Sequence, residues 1–390
     1  MEHNYDAVIV GSGFAGAVTA RRLAEAGKRV LLLEKRSHIG GNAYDYRDKA
    51  GVVVHRYGPH IFHTNSEAAW RFLSRFTEWY PYRHEVVGSI RGQYVPIPFN
   101  LHSIGLCFPP DKAARLRERL VASYGLGSRV PIAELRREDD PELHELAEYI
   151  FANVFCRYTE KQWGTPPDAV DPPVLTRVPV LVSEDDRYFQ DTWQGIPAKG
   201  YTALFERMLA YPGIEVRLGT DASERLRISE SRVRLDGEPF DGVTVYTGAL
   251  DELLGCTLGR LPYRTLDFQF ETHPITWYQP KGTVNYTVDM PYTRITEFKY
   301  FLGQDLPGRT TIVKEFARDY TGAAGEIPCY AVKNPESERL YAAYLELVSP
   351  IPRFYLLGRL AEYQYYNMDA IVAHALACAD KILTGWEAQA

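Results

Sequence analysis

The N-terminal part of the chain alternates between short apolar runs and glycine-bounded turns. The apolar run Val8–Val10 leads into Gly11–Gly16, after which apolar residues recur at helical spacing until Gly27. A second apolar run, Leu31–Leu33, ends at Glu34. This pattern predicts a strand, a tight turn, an amphipathic helix and a second strand, as at the start of a Rossmann-like α/β fold.

Beyond residue 65 the spacing of apolar positions predicts further elements. A period near 3.6 predicts helices over 66–80, 111–125, 132–135, 142–155, 200–211 and 368–382. Alternation or short apolar runs predict strands over 86–90, 94–97, 215–218, 232–235, 242–246, 266–270, 310–316 and 353–359. The apolar run 52–54 is expected to close the N-terminal half-fold.

The glycine turn carries the residues that a dinucleotide pyrophosphate requires. Gly11 permits a sharp turn, Gly13 lets the backbone approach a pyrophosphate, and Gly16 lets the helix pack closely on the sheet. Glu34 ends the second strand where a carboxylate can accept both ribose hydroxyls. Gly40–Asn42 follows this acidic residue in an order that resembles the two-dinucleotide flavoproteins of the glutathione-reductase type, which favours FAD over NAD.

Together these elements predict an α/β protein: a Rossmann-like FAD-binding domain with an inserted small helical domain and a mostly antiparallel β-sheet domain. The FAD-binding domain is expected to be discontinuous, over 1–98, 195–250 and 350–390. The helical insertion, 99–175, would carry a nucleotide-binding slot. Residues 176–194 and 251–349 would form the sheet domain that contacts the substrate.

Composition narrows the class of protein. The 390 residues suggest two or three domains, and 45% hydrophobic with 24% charged residues is typical of a soluble globular protein. No run approaches the roughly 20 apolar residues of a membrane span. The chain enters its first strand with no signal peptide, and its five cysteines are far apart, so we expect a cytoplasmic protein without a disulfide framework. A net charge of −6 argues against nucleic acid as a partner, and a phosphate-bearing substrate would need locally placed arginines.

An aromatic cluster follows the helices of the predicted insertion. Phe155, Tyr158 and Trp163 could stack on a base, while Thr159 and Gln162 could form hydrogen bonds to it. The alternative is that these aromatic residues are ordinary core at the end of the helical domain. The sequence leaves both interpretations open.

Arg294 and three histidines are further candidates. Arg294 lies among apolar neighbours in a predicted strand, so it needs a carboxylate partner such as Glu297 or a phosphate ligand. His55, His60 and His63 have no cysteine or clear carboxylate nearby to complete a metal site, so we expect no metal. They either lie against a cofactor or are surface histidines. No Ser–His–Asp or Cys–His arrangement is identifiable, which argues against a nucleophile supplied by a side chain.

These clusters resemble the bacterial UDP-galactopyranose mutases over nearly the whole chain. The resemblance is carried by 11–16 with 40–42, 57–63, 158–164, 263–268, 293–297 and 358–360. It implies a net non-redox, ring-contracting isomerisation of UDP-galactopyranose to UDP-galactofuranose. In that family reduced FAD forms an adduct with the sugar through N5 while UDP leaves and returns. The resemblance also implies priming by NAD(P)H or another reductant, and a homodimer.

The resemblance assigns roles residue by residue. The expected cofactor-binding residues are Gly11, Gly13, Phe14, Ala15, Gly16, Glu34, Lys35, Gly41, Asn42, His60, Ile61, Gly358, Arg359, Tyr365, Asn367 and Met368. The expected substrate-binding residues are His84, Phe155, Tyr158, Thr159, Trp163, Arg177, Tyr188, Asn285, Arg294, Tyr330, Tyr365 and Asn367. Arg177 and Arg294 would clamp the diphosphate, and with His60 and His63 they form the expected catalytic set.

Four positions depart from the family's usual pattern. His84 stands where the family has asparagine, Asn367 where it has aspartate, Cys329 where it has tyrosine and Val154 where it has phenylalanine. The changes fall near the sugar, so another UDP-pyranose, such as UDP-arabinopyranose or UDP-N-acetylgalactosamine, stays an alternative substrate. An FAD-dependent oxidoreductase and a binding module similar to the GDP-dissociation inhibitors are the alternatives from other classes.

Overall fold

The computed structural model describes residues 4–166, 178–229 and 231–387. Its helices are α1 (Phe14–Glu25), α2 (Glu67–Ser74), α3 (Leu101–Cys107), α4 (Pro110–Tyr124), α5 (Ile132–Leu135), α6 (Pro141–Ile150), α7 (Arg157–Trp163), α8 (Tyr201–Leu209), α9 (Ala222–Arg225), α10 (Leu250–Leu253), α11 (Pro335–Val348) and α12 (Met368–Glu387). Its strands are β1 (Ala7–Val10), β2 (Val30–Leu33), β3 (Asp45–Arg47), β4 (Val53–His55), β5 (Phe62–Thr64), β6 (Trp79–Tyr80), β7 (Val86–Ile90), β8 (Gln93–Ile97), β9 (Arg129–Val130), β10 (Val180–Leu181), β11 (Trp193–Pro197), β12 (Ile214–Arg217), β13 (Leu226–Ser229), β14 (Arg232–Leu235), β15 (Glu238–Pro239), β16 (Val243–Tyr246), β17 (Tyr263–His273), β18 (Thr283–Asn285), β19 (Arg294–Glu297), β20 (Thr310–Asp319), β21 (Tyr330–Ala331) and β22 (Phe354–Leu356).

A five-stranded parallel sheet forms the predicted Rossmann-like half. Its strand order is β12-β2-β1-β16-β22, and each neighbouring pair runs parallel. β2 is buried along its whole length, as expected for a parallel strand covered on both faces. α1 packs against α12 beside this sheet. The carboxyl ends of β1 and β2 therefore open beside the amino end of α1, where the glycine turn lies.

Pairing between distant segments completes this half in two places. The run 52–54, expected to close the half-fold, lies in β4, which pairs antiparallel with β3 in a separate two-stranded ribbon. The Asp45 carboxylate ties that ribbon to the start of α8, accepting hydrogen bonds from the backbone N–H groups of Tyr201 (2.6 Å) and Thr202 (2.9 Å). β12 is the next parallel strand of the sheet in chain order after β2. The helix predicted over 66–80 ends at Ser74, since Trp79 and Tyr80 pair with β11.

A seven-stranded sheet, in the order β21-β17-β20-β19-β18-β7-β8, stands beside the parallel sheet. Every neighbouring pair is antiparallel except β18 and β7. β7 and β8 belong to this sheet, although the boundary drawn at residue 98 grouped them with the cofactor half. β10, grouped with the sheet from its sequence, pairs instead with β9 of the helical region. The domain boundaries otherwise remain a prediction.

The helical region packs its apolar side chains against β7 and β8. Leu116, Leu143 and Leu146 share one buried cluster with Val95 and Ile97. A π-helical turn, Phe151–Cys156, then joins α6 to α7. None of the helices in the part of the chain that the structure describes combines the length and apolar character of a membrane span.

Candidate active site

Two cavities that share a wall lie where the parallel sheet meets the seven-stranded sheet. The first, about 330 Å³, is lined by the glycine turn and the carboxyl end of β2. The second, about 770 Å³, is lined by residues of β18, β19 and α7. Asn42, His60, Arg359 and Met368 line both cavities. A ligand in one cavity can therefore meet a ligand in the other at these residues.

Most residues predicted from the sequence line one of these cavities. The first is lined by Gly11, Gly13, Phe14, Ala15, Glu34, Lys35, Gly41, Asn42, His60, Gly358, Arg359 and Met368. The second is lined by His60, Ile61, His63, His84, Phe155, Tyr158, Thr159, Trp163, Tyr188, Asn285, Arg294, Tyr330, Tyr365 and Asn367. Tyr365 and Asn367, expected to touch cofactor and substrate alike, line only the second. Gly16 lines neither, and Arg177 lies outside the described residues.

In the glycine turn, backbone segments approach one another so closely that side chains would not fit between them. A Cβ atom on Gly16 would lie 1.9 Å from the carbonyl oxygen of Gly11, so only glycine allows this approach of helix to turn. Gly11 itself has φ +96°, which L side chains rarely adopt. Gly13 caps α1 with no side-chain hydrogen bond. The first-turn N–H groups and the positive end of the helix dipole are thus available to an anion.

The surroundings of Glu34 and Arg36 show whether the first cavity fits a dinucleotide. Glu34 is 5% exposed, and its Oε2 accepts hydrogen bonds from the Ser12 N–H (2.9 Å) and Oγ (2.6 Å). Arg36, which the sequence analysis missed, donates from Nη2 to Asn42 Oδ1 at 2.8 Å, while its buried Nη1 has no partner among the residues the structure describes. A buried donor without a partner is costly, so it points to an acceptor that is still to bind. The residues present fit a dinucleotide.

His60 and Arg359 stand at the junction of the two cavities. The backbone N–H of His60 donates to His55 Nδ1 at 3.0 Å, and its Nδ1 lies 2.9 Å from the Gly58 carbonyl oxygen. Because a carbonyl only accepts, the proton is on Nδ1 and Nε2 is left as an acceptor. Burial, and then the charge of His55, lowers the pKa of His60 to about 3, so the ring is neutral at pH 7. Arg359 Nε donates to the Tyr366 carbonyl at 2.6 Å.

The π-helical turn and α7 place an aromatic slot against the second cavity. Phe155 is 8% exposed and Thr159 is 5% exposed, and both line the cavity with Tyr158 and Trp163. The Trp163 and Tyr330 ring centroids are 5.9 Å apart. The cluster is therefore a cavity wall and not merely core. Short π-helical turns are frequent at functional sites.

Two cations that the sequence analysis did not single out hold α7 in place. Lys161 Nζ donates to the carbonyl oxygens of Tyr286, of Met290 at 3.2 Å and of Asp289 at 3.3 Å. Burial lowers the pKa of Lys161 to about 8. Arg264, 4% exposed, donates from Nε to the Gln162 carbonyl at 2.9 Å at the carboxyl end of the helix. These bonds fix the aromatic slot relative to the seven-stranded sheet.

Arg294 pairs with Glu315 and not with Glu297. Arg294 Nε donates to Glu315 Oε1 at 2.8 Å, and the two residues face each other across β19 and β20. Glu297 lies three positions along β19, and successive side chains of a strand alternate between faces, so its carboxylate is on the other side. There it accepts from Thr310 Oγ1 at 2.6 Å. Burial alone would lower the pKa of Arg294, but Glu315 raises it well above its ordinary value, so the guanidinium stays charged.

A row of buried polar atoms on and after β18 has no hydrogen-bond partner in the described part of the chain. Thr283, Asn285 and Thr287 are 2%, 9% and 1% exposed, and all three line the second cavity. Thr283 Oγ1, Asn285 Oδ1 and Thr287 Oγ1 form no hydrogen bond with any residue that the structure describes, and neither does Glu315 Oε2. Their alternating positions put them on one face of the strand. Such a face fits a ligand that carries several hydroxyl or phosphate groups.

The residues that depart from the family pattern have distinct surroundings. His84 is 5% exposed, lies 3.3 Å through Nδ1 from the Tyr82 hydroxyl, and has its pKa lowered to about 3 by burial. Asn367 is exposed at the rim of the second cavity. Burial raises the pKa of Cys329 to about 11, so that thiol stays protonated at neutral pH. Val154 belongs to the apolar cluster of the helical region. Nowhere in the described ranges do three or more histidine, cysteine or acidic side chains gather as a metal site.

Comparison with known proteins places this geometry in a family. A sequence profile described as UDP-galactopyranose mutase matches residues 153–365, and a profile described as NAD(P)-binding Rossmann-like domain matches residues 9–76. A probable UDP-galactopyranose mutase of Klebsiella pneumoniae is 36% identical, over 98% of this chain and 96% of that protein. A dTDP-fucopyranose mutase of Escherichia coli is also 36% identical, over 95% of this chain and 97% of that protein.

A solved structure shares the fold at low identity. The crystal structure of a reduced UDP-galactopyranose mutase superimposes with a TM-score of 0.72 at 17% identity, covering 98% of this chain and 94% of that one. This likeness concerns the architecture alone. The sequence profile and the full-length relatives show that the chain belongs to the UDP-galactopyranose mutase family and is an isomerase of the intramolecular transferase class.

Proposed function

We propose that this protein is a flavin-dependent mutase that interconverts UDP-galactopyranose and UDP-galactofuranose, with FAD as its cofactor. Family membership and the Rossmann-like half support a flavin. The observation that carries the proposal is the junction of the two cavities. One fits a dinucleotide and the other a polar ligand beside a charged guanidinium, so cofactor and sugar nucleotide would meet at His60 and Arg359.

The first cavity would hold the cofactor through groups already described. The glycine turn and α1 would receive the pyrophosphate, and Glu34 the ribose hydroxyls. Arg36 Nη1 would find its missing acceptor there. When bound and reduced, the flavin would supply the nucleophile that displaces UDP from the anomeric carbon of the sugar. The protein's own share is positioning and charge stabilisation.

The second cavity would hold the sugar nucleotide. Phe155, Tyr158 and Trp163 would enclose the uracil. Arg294, held by Glu315, would neutralise the diphosphate and make UDP a better leaving group that stays at hand for its return. Arg177 is proposed as the second guanidinium, and Tyr188, Tyr330 and Tyr365 as hydroxyl donors to the phosphates.

A cysteine nucleophile is disfavoured by the site itself. Cys329 lines the second cavity, but burial raises the pKa of its thiol to about 11. The thiolate is the reactive form, and it would be scarce at neutral pH. This supports a reaction in which the cofactor, and not a side chain, bonds to the sugar.

The test is to incubate the dithionite-reduced protein with UDP-galactopyranose and to follow the furanose by chromatography. Reduced protein should form the furanose, and fully oxidised protein should not. Equal rates for both would overturn the flavin's role. Consumption of a stoichiometric electron acceptor would favour the oxidoreductase alternative, and a purified protein that takes up no FAD would favour a binding module.

A matched pair of variants tests the diphosphate clamp. Arg294→Ala should lower kcat by about 10² to 10³-fold while the protein keeps its flavin, as on loss of one group that stabilises developing charge. Arg318→Ala is the control, because Arg318 is 40% exposed and pairs with Asp267 outside both cavities. Near-full activity of Arg294→Ala would show that the diphosphate lies elsewhere.

A second candidate substrate is a dTDP-linked 6-deoxypyranose. The relative named dTDP-fucopyranose mutase is 36% identical over nearly the whole chain, as is the one named probable UDP-galactopyranose mutase. The same assay with dTDP-fucopyranose, UDP-arabinopyranose and UDP-N-acetylgalactosamine distinguishes these sugars. The substrate with the highest kcat/KM identifies the sugar and the base.

A further inference from the structure

A histidine and an aspartate form a hydrogen-bonded pair on the wall of the second cavity. His63 Nδ1 lies 2.9 Å from Asp191 Oδ2, and the two side chains are 13% and 23% exposed. Asn65 Nδ2 donates to the other oxygen of Asp191 at 2.7 Å. The imidazole stacks on Phe189 with the ring centroids 3.5 Å apart and the planes at 12°. Ring position and rotation are therefore both fixed.

The pair leaves one nitrogen of the ring for a ligand. Within the described residues His63 forms its hydrogen bond through Nδ1, and both His63 and Asp191 line the second cavity. The hydrogen bond from His63 holds the pKa of Asp191 below its ordinary value, so the carboxylate is ionised at neutral pH. An ionised acceptor places one proton on Nδ1, so Nε2 can bind a second proton from solvent, and the imidazolium thus formed can give that proton up and take it back.

Ring contraction requires a proton to move between two sugar oxygens. The bond from C1 to O5 of the pyranose is replaced by a bond from C1 to O4, and the proton on O4 of the pyranose ends on O5 of the furanose. No electrons are gained or lost. A group that gives a proton to O5 as the C1–O5 bond breaks, and takes one from O4 as the C1–O4 bond forms, returns to its starting state.

We propose that His63 carries this proton through Nε2 and that Asp191 is its positioning residue, an inference that rests on the proposed function. Asp191 orients the ring and stabilises the imidazolium that exists before the proton reaches O5. Among the described residues, three other titratable or charged groups lie around the pair. The charge of Arg129 acts on Asp191, and His63 helps to lower the pKa of His84. Asp369 accepts a hydrogen bond from Thr64, the residue after His63 on β5.

The chain contains a matched control for this pair. His102 Nδ1 lies 2.9 Å from Asp186 Oδ2, and Asn100 Nδ2 donates to the other oxygen of Asp186 at 2.9 Å. This second pair has the same atoms and the same distance, but His102 and Asp186 line neither cavity. If such a pair contributes only to structure, disrupting either pair should therefore have the same effect on the protein.

The experiment compares Asp191→Asn with Asp186→Asn in the flavin-loaded, dithionite-reduced enzyme. Asp191→Asn should lower kcat by about 10²-fold or more, the range of general acid–base catalysis, with a change in its pH profile. Its affinity for UDP, measured by fluorescence titration, should stay that of the wild type. Asp186→Asn should keep the wild-type kcat and pH profile.

Chemical rescue separates proton transfer from packing. His63→Ala leaves space beside Phe189, and added imidazole should restore part of its kcat, while His102→Ala should keep the wild-type rate and gain nothing from imidazole. Equal kcat for the two asparagine variants, or no rescue of His63→Ala that still binds FAD and UDP, would overturn the inference alone. A wild-type enzyme inactive on every pyranose tested would overturn the proposed function and this inference with it.

Discussion

Buried histidines should make the stability of this protein fall steeply with acid. His84 and His55 are 5% and 1% exposed, and burial lowers the pKa of each to about 3. The pKa of His60 is lowered in the same way, so it adds to the effect. An unfolded histidine has a pKa of about 6.5. As the pH falls, the unfolded chain therefore binds these protons before the folded protein does. The stabilisation is fully present above about pH 6.5 and is lost progressively toward pH 3.

The magnitude follows from the two pKa values. Each group that is protonated only in the unfolded state lowers the free energy of unfolding by about 1.4 kcal/mol per pH unit. Between pH 6.5 and 4.5 one such histidine removes about 2 kcal/mol, and two remove about 4 to 5 kcal/mol. That loss is a large part of the roughly 5–15 kcal/mol that stabilises an ordinary domain. Asp45, whose pKa is raised by burial, acts in the opposite direction, so the comparison must be made between variants.

His84→Asn isolates one of these histidines. Asparagine keeps an acceptor for the Tyr82 hydroxyl but cannot titrate, so this variant should lose about 2 kcal/mol less than the wild type between pH 6.5 and 4.5. His144→Asn is the control, because His144 is exposed, and it should follow the wild type. The measurement is urea-induced unfolding at both pH values. Parallel losses in the wild type and His84→Asn would refute the reasoning.

Two further predictions concern the cofactor turn and the nucleotide slot. Gly16→Ala should lower the Tm of the flavin-free protein, since its Cβ would lie 1.9 Å from a carbonyl oxygen. Gly13→Ala should keep that Tm and reduce FAD binding, because the nearest atom to its Cβ would be a Cα at 3.8 Å. Equal Tm values for the two variants would contradict this. Lys161→Met should weaken UDP binding without changing FAD content. The wild-type affinity for UDP should fall as the pH rises through about 8, because the Lys161 ammonium then loses its charge and its hold on α7. Constant affinity across that pH range would argue against a role of Lys161 in holding the nucleotide slot.

The Rossmann-like half could be predicted because its signals are local. The apolar strand, the glycine turn, the helix and Glu34 follow one another within the first 34 residues. The third parallel strand is β12, which comes after the helical region, and nothing in the run 52–54 distinguishes a sheet strand from a ribbon strand. The helix predicted over 66–80 was too long because Trp79 and Tyr80 pair with β11, and this pairing with a distant strand overrides the local spacing of apolar residues.

The partners of site residues depend on contacts that the sequence does not display. Arg294 has Glu297 near it in sequence, but only the register of β19 with β20 shows that Glu315 faces it. Asp191 is separated from His63 by more than a hundred residues, and their meeting depends on the pairing of β5 with β11. Motifs thus predicted the residues on the cavity walls, whereas strand register decides which residues support them.

The polar atoms without partners are the part of the structure that most directly indicates a ligand. A buried donor or acceptor that makes no hydrogen bond costs about 1–3 kcal/mol. Among the described residues, Thr283, Asn285 and Thr287 present such atoms to the second cavity, and Arg36 presents one to the first. A sequence with no need for these groups would replace them with apolar side chains of similar size at little cost. A polar molecule in each of the two adjoining cavities would satisfy the four atoms that line them, those of Arg36, Thr283, Asn285 and Thr287.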